Sequence, residues 1–284
     1  MSLNSVRVLG DAADGSNTWQ SFFYKTTGPN VGGRWVDTSV GSGIPVYQAY
    51  VGSQFQATPV YGEGNRGIYA GPTPPVGLTK YLHAMSIGTA GVGVPSHFML
   101  CDYLMFYPLV DGDDADPQAM DNALTLPRYI DGHGVRLMCV IATPTANSVQ
   151  CTVNYTNSNG VAGRIVTFGV TASGNIGLIG NTGSDSIVST AVSPFAPLAN
   201  GDKGIRSIES VTFLGGAGGF VNFVLVKPLA QIQIFEANTQ AEKTFFNQNA
   251  NVPEIKEGAY LNMIALLNTT NYTPLRGWVQ FVWG

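Results

Sequence analysis

The segment YPLVDGDDADPQAMDN, residues 107–122, places five aspartates in sixteen positions of a chain in which only 11% of residues are Asp, Glu, Lys or Arg. Carboxylates this dense serve one of three ends. They ligate a hard cation, they work as an acid–base pair, or they bend a loop by accepting hydrogen bonds from nearby backbone. A calcium loop of the EF-hand kind needs ligands at its first, third and fifth positions, a glycine sixth and a glutamate twelfth. Counted from Asp111, the chain has Asp113 third but Ala115 fifth, Asp116 sixth and Asn122 twelfth. The motif fails, and only an irregular Ca2+ site using Asp111, Asp113, Asp114 and Asp116 stays open.

A glycosidase would need two acids facing each other across a sugar cleft, one of them desolvated. Asp111 and Asp121 fall on one solvated loop, and nothing in the sequence selects them for that work. Nucleophilic and metal chemistry have no better footing. There is no GxSxG elbow, and His83, His97 and His133 lie apart with no HExxH spacing. His133 sits in IDGHGV, a turn composition. GTAGVG (88–93) and GGAGG (215–219) lack the glycine order and the lysine that cradle phosphates. Cys101, Cys139 and Cys151 each stand among apolar residues and read as small core side chains, with a Cys139–Cys151 disulfide as the lesser alternative. The reading is therefore of a protein that is not an enzyme, with no catalytic, cofactor or metal residues beyond the aspartates already named.

The elements that would carry these residues are short and alternate with a period of two. Strands are expected at Val135–Thr143, Gln150–Thr156, Arg164–Val170, Phe220–Lys227, Gln231–Glu236, Ala259–Leu267 and Arg276–Trp283, rich in β-branched and aromatic residues and separated by Gly and Pro. Leu78, Leu82 and Met85 have the spacing of one helix face, which predicts a short helix at 78–85; a second, weaker helix pattern covers Thr239–Asn247. The fold class is all-β, a β-sandwich or jelly roll with one or two short helices. Residues 1–77 read as an extended arm or small accessory β region ending in the Pro-rich connector GPTPPVG, and 78–284 as the main domain. The arm's Phe22, Phe23, Tyr24 and Trp35 need a surface to lie on, a neighbouring chain slightly more than their own. Residues 171–200 read as long loops. Within the aspartate segment the strand ends at Pro108, Asp121 or Asn122 caps a short turn, and Arg128 is expected to pair with one of the exposed acids at a gain of about 0.2–1 kcal/mol.

Charge is the strongest global feature. A folded monomer of this mass exposes on the order of 11,700 Å2. The 14 basic and 18 acidic residues then leave about one charge per 365 Å2, under half the usual density. So sparse a surface favours association with copies of itself or with a larger assembly. The net charge of −4, without a cluster of Lys and Arg, argues against nucleic acid as a partner. The longest apolar run, Phe98–Tyr107, is broken by Asp102 and too short to span a membrane. The start, MSLNSVRVLG, lacks the apolar core of a secretory signal, so synthesis in a cytoplasm is expected and the sequons at Asn154, Asn268 and Asn271 carry no weight.

A composite pattern adds a resemblance. DYLMFYPLVDGDDADPQAMDNALTLPRYIDGHGVRLMCVIA (102–142), VNYTNSNGVAGR (153–164), GDKGIRSIESVTF (201–213), VLVKPLA (224–230) and the closing PEIKEGAYLNMIALL and GWVQFVWG resemble tailed-bacteriophage virion structural proteins of the head decoration, or cement, type. That resemblance spans roughly residues 70–284. It implies a β-sandwich or jelly roll, a homotrimer, the major capsid protein as partner and a place on the capsid exterior. It assigns no individual residue. A main shell protein of the same particles would need a long spine helix, and no sustained 3.6-residue pattern is present. Two other functions remain in view: a tail or fibre component that binds host-surface glycan through loop aromatics, and, last, a glycan hydrolase.

Overall fold

A computed structural model describes residues 17–26, 28, 32–48, 50–62, 66–90, 94–180, 193–245, 252–268 and 274–284. Among the described residues fifteen strands run in chain order. The first seven are β1 (Thr18–Lys25), β2 (Trp35–Asp37), β3 (Gly43–Ile44), β4 (Thr58–Pro59), β5 (Lys80–Thr89), β6 (Ser96–Asp111) and β7 (Gln118–Ala119). There follow β8 (Arg136–Ile141), β9 (Val149–Asn157), β10 (Arg164–Val170), β11 (Ile205–Leu214), β12 (Phe220–Ile234), β13 (Gln240–Thr244), β14 (Leu261–Leu266) and β15 (Leu275–Trp283). They form three antiparallel sheets, ordered β13-β5-β15-β1-β3, β10-β9-β11-β7 and β2-β14-β6-β12-β8, with β4 also on β6. The class is all-β, of the sandwich kind: one core takes Phe23, Met85 and Val279 from the first sheet, Val153, Phe168 and Phe213 from the second, and Phe98, Leu100 and Leu225 from the third. A second, smaller core lies against the third sheet, built on Cys101, Tyr103 and Phe106 of β6 and closed by Trp35, Tyr50 and Val60.

The long central strand β6 explains the uninterrupted apolar run. Its middle is covered on both faces, so successive residues feed opposite cores, Leu100 one and Cys101 the other.

Both expected helices are strands, and the first error has a physical cause. β5 pairs with β15 through a register shift: Gln280 faces Ala84 while Phe281 faces Leu82, which leaves His83 as an extra, bulged residue. The bulge inverts the alternation, so Leu82 and Met85, three residues apart, both reach the core. Three-residue spacing thus imitated a helix face. In the second stretch, Gln240–Thr244 is β13, an edge strand paired with β5 whose alternate residues are exposed, and positions 246–247 of that expectation lie outside the described residues. Among the described residues the sole helical element is one 3-10 turn, Thr38–Val40, capped by Asp37.

The described part of residues 1–77 is built into the sheets of its own chain. β1 runs between β15 and β3, β2 is paired to β14, and β4 to β6. Phe23 and Trp35 are buried there, against the slight expectation of a neighbour, whereas Phe22 and Tyr24 stay exposed. The Pro-rich connector is pinned as well: the Lys80 ammonium donates to the carbonyls of Ala70, Gly71 and Pro72 at 2.7, 3.1 and 2.6 Å.

Candidate functional site

The aspartate loop is built by its own carboxylates. Asp111 Oδ1 accepts from the Asp113 amide at 2.9 Å, Asp114 Oδ1 from the Asp116 amide at 2.9 Å, and Asp121 Oδ1 from the Ala123 amide at 2.9 Å. Each is an Asx turn. Asp113 Oδ1 reaches across to the Gly218 amide at 2.8 Å and ties the loop to the turn before β12. Gln118 closes the base, its Oε1 accepting from the Asp111 amide and its Nε2 donating to the Asp111 carbonyl. Among the described residues no group of three or more His, Cys, Asp or Glu side chains converges as a metal site. Through these four carboxylate–amide bonds the acids shape the loop. Asp131 does the same for IDGHGV, where its Oδ1 accepts from the His133 amide at 3.1 Å.

The acids that matter to the interior are others. Asp102, the charge interrupting the apolar run, is fully buried on β6. Its Oδ2 accepts from Arg128 Nε at 2.9 Å and its Oδ1 from Arg128 Nη2 at 2.7 Å, with the Tyr260 amide adding a bond at 3.0 Å. Arg128, itself 6% exposed, also donates to the carbonyls of Val60 and Tyr103. The expected surface pair between Arg128 and the aspartate loop is thus corrected: a guanidinium with an apolar strand on one side takes the one buried carboxylate in reach. Burial pushes the Asp102 carboxyl up, and the Arg128 hydrogen bonds and charge pull it back down.

Asp37 forms the second buried centre. Its Oδ1 accepts from the Ser39 amide at 2.8 Å and the Tyr103 hydroxyl at 2.7 Å, and its Oδ2 from the Tyr50 hydroxyl. Lys25 lies close enough to feel this charge, and its buried ammonium donates to the carbonyls of Gly41 and Pro45 at 3.0 and 2.6 Å. Desolvation raises the Asp37 carboxyl and drives the Tyr50 and Tyr103 hydroxyls well above their usual range. Together the two centres tie segment 37–60 onto β6. Neither carboxylate reaches solvent, and each has its oxygens filled by protein donors. Such an arrangement holds structure.

The three cysteines are buried thiols, and Cys139 and Cys151 are not joined in a disulfide. Burial raises all three thiols, which makes them poor nucleophiles.

Two surface features remain. In the first sheet, residues of β1 facing away from the core stand in register with their neighbours: Tyr24 beside Ile44 and Arg276, Phe22 beside Trp278. Phe22, Tyr24 and Ile44 are 68%, 42% and 62% exposed. The second feature is a cleft of about 180 Å3 over the Asp102–Arg128 centre, lined by Gln48, Thr58, Tyr61, Arg66 and Tyr260 among others. No helix among the described residues is long and apolar enough to cross a membrane.

No family model matches the chain, and no curated protein does. Among solved structures it is weakly similar to two of viral origin. One is described as the structure of infectious bursal disease virus Gt strain, at 9% identity and a TM-score of 0.20 over 94% of this chain and 80% of that one. The other is the 2.6 Å structure of infectious bursal virus derived T=1 particles, at 9% identity and a TM-score of 0.17 over 94% of this chain and 77% of that one.

Proposed function

We propose that the chain is a structural protein of a virus particle, a decoration subunit that associates with copies of itself as a homotrimer and seats on the major capsid protein at the outside of a phage head. The observation that carries this reading is the uncovered apolar row of the first sheet, Phe22, Tyr24, Ile44 and the half-buried Trp278. A row of exposed apolar side chains is costly to leave in water, at roughly 25 cal/mol per Å2 of apolar surface. The rest of the surface offers little charge to counter association: 11,878 Å2 shared among 32 charged residues gives about 370 Å2 for each. The sequence resemblance to phage decoration proteins supplies the particle, the capsid partner and the exterior position.

The test is the mass of the purified protein by light scattering after size exclusion, followed by its binding to mature heads stripped of it. The reading expects a stable trimer that sediments with the heads. A monomer at tens of micromolar that leaves the heads bare would overturn it.

A further inference from the structure

The cleft beside β4 combines three things that a structural indentation does not need. Its cation is exposed: among the described residues the Arg66 guanidinium makes no hydrogen bond or ion pair, and while burial raises the Tyr260 hydroxyl, the nearby Arg66 charge pulls it partly back. Its amide is half used: Gln48 Oε1 accepts from the Tyr260 hydroxyl at 3.1 Å, which aims Gln48 and leaves its Nε2 hydrogens to donate. Its wall is aromatic: Tyr61 is 51% exposed and backed by Arg128, whose Cζ lies 6.0 Å from the ring centroid.

The floor is rigid. Val60, the residue after β4, donates its amide to the Leu104 carbonyl of β6 and accepts at its own carbonyl from Arg128, so the chain leaving β4 is held at both its donor and its acceptor. Thr58 Oγ1 donates to the Gln56 carbonyl, leaving its lone pairs to accept. Among the described residues the cleft is lined by one charged side chain, Arg66, and by no Asp or Glu, in a chain that carries a net charge of −4. A local cation on a negative protein selects an anion. The volume, about 180 Å3, is that of about six waters at roughly 30 Å3 each, or of one six-membered sugar ring.

The geometry points to a binding site for a carboxylated pyranose, a uronic-acid unit of a surface polysaccharide. The carboxylate pairs with Arg66 and the Gln48 amide, the apolar face of the ring lies on Tyr61, and Thr58 takes a ring hydroxyl. This goes beyond the shell reading and does not depend on it, since a decoration subunit needs no such cleft.

The test uses the full-length protein and saturation-transfer NMR, which works at any oligomeric size. Methyl glucuronide is the probe, with methyl glucoside and glutarate as comparators, on the wild type and on the R66Q and Y61A variants. Ring protons of the glucuronide receive saturation, and its affinity exceeds that of the glucoside by about tenfold or more, the worth of one charge-assisted hydrogen bond. R66Q removes that advantage, and Y61A weakens both sugars. The proposal falls if the glucuronide receives no saturation, or if glucoside binds equally and R66Q changes nothing. It also falls if glutarate matches the glucuronide and Y61A is silent, an outcome that would assign the cleft to an acidic side chain of a protein neighbour. Both substitutions alter exposed side chains, and circular dichroism of each variant confirms the fold before the titration is read.

Discussion

Arg128 grips Asp102 at two points, Nε to Oδ2 at 2.9 Å and Nη2 to Oδ1 at 2.7 Å, with both side chains shut away from water. The pair joins β6 to the segment that follows the aspartate loop, and through the carbonyl of Val60 to the chain leaving β4. Removing one partner strands the other charge in an apolar interior. Arg128→Met is therefore expected to cost roughly 3–5 kcal/mol in chemical denaturation. The double variant that adds Asp102→Asn should recover part of that loss, because no bare charge is left. A single variant within about 0.5 kcal/mol of wild type would mean that water reaches the pair.

Lys25 gives a test with a sign. Burial lowers its ammonium to about 8, against a contrary pull from Asp37, while in the unfolded chain it holds its proton to about 10.5. Between those values the unfolded chain binds more protons than the folded one, so this residue adds stability as pH rises through the window. Below about 8 both states are protonated and the cost of burying the cation is fully present. Lys25→Met removes the effect. The difference in stability between wild type and variant should grow in favour of wild type from about pH 7.5 to 10. Lys80, lowered to about 8 by its own burial, is common to both proteins and cancels. A difference that stays flat across this range would show that the Lys25 site is hydrated.

The aspartate loop should prove indifferent to calcium. Asp113 and Asp114 act as acceptors for the amides of Gly218 and Asp116, and an Asn side-chain oxygen can accept in the same way. The Asp113→Asn, Asp114→Asn double variant should lie within about 0.5 kcal/mol of wild type. Neither calcium nor a chelator should move Tm. A rise in Tm with calcium that the double variant loses would restore the metal reading.

Some of this was legible from the chain and some was not, for reasons visible in particular residues. Arg164–Val170 is a strand with the bounds its alternation suggests. β12 read as two strands because Pro228 interrupts it; the structure carries the proline where β12 has run past its partner β8, whose last pair is Val226 with Arg136, and a bulge follows between Pro228 and Ala230. The outward face of β1 was hidden because WQSFFYK is aromatic on both faces, so alternation had no contrast to show. Asp102 did signal itself, as a single charge in an apolar run, since such a strand must supply a counter-ion. Its partner lies 26 residues away, beyond five nearer aspartates that offered Arg128 a more obvious match. The Asp37 centre gave no local sign at all: Tyr50 and Tyr103 stand 13 and 66 residues from it, and only the sheet brings them together.

The apolar row on β1 makes the assembly reading open to a direct test. Phe22 and Tyr24 alternate with Phe23 and Lys25, so serine at 22 and 24 changes the outer face and leaves the core residues in place. Exposed substitutions of this kind alter stability by about 0.5 kcal/mol or less, and Tm should confirm it. Loss of two rings per copy removes much of the apolar surface an interface would bury, and interfaces draw most of their energy from a few such residues. The mass by light scattering should therefore fall from that of a trimer to that of one chain, 30.1 kDa. Ile130, 75% exposed on a turn outside the first sheet, is the control, and Ile130→Ser should leave the trimer intact. If Ile130→Ser disperses the protein as well as the double serine variant does, association is a general property of a weakly charged surface and the β1 face has no special part in it. If neither variant alters a stable trimer, the subunits meet elsewhere, and the rings of Phe22 and Tyr24 face the capsid or solvent.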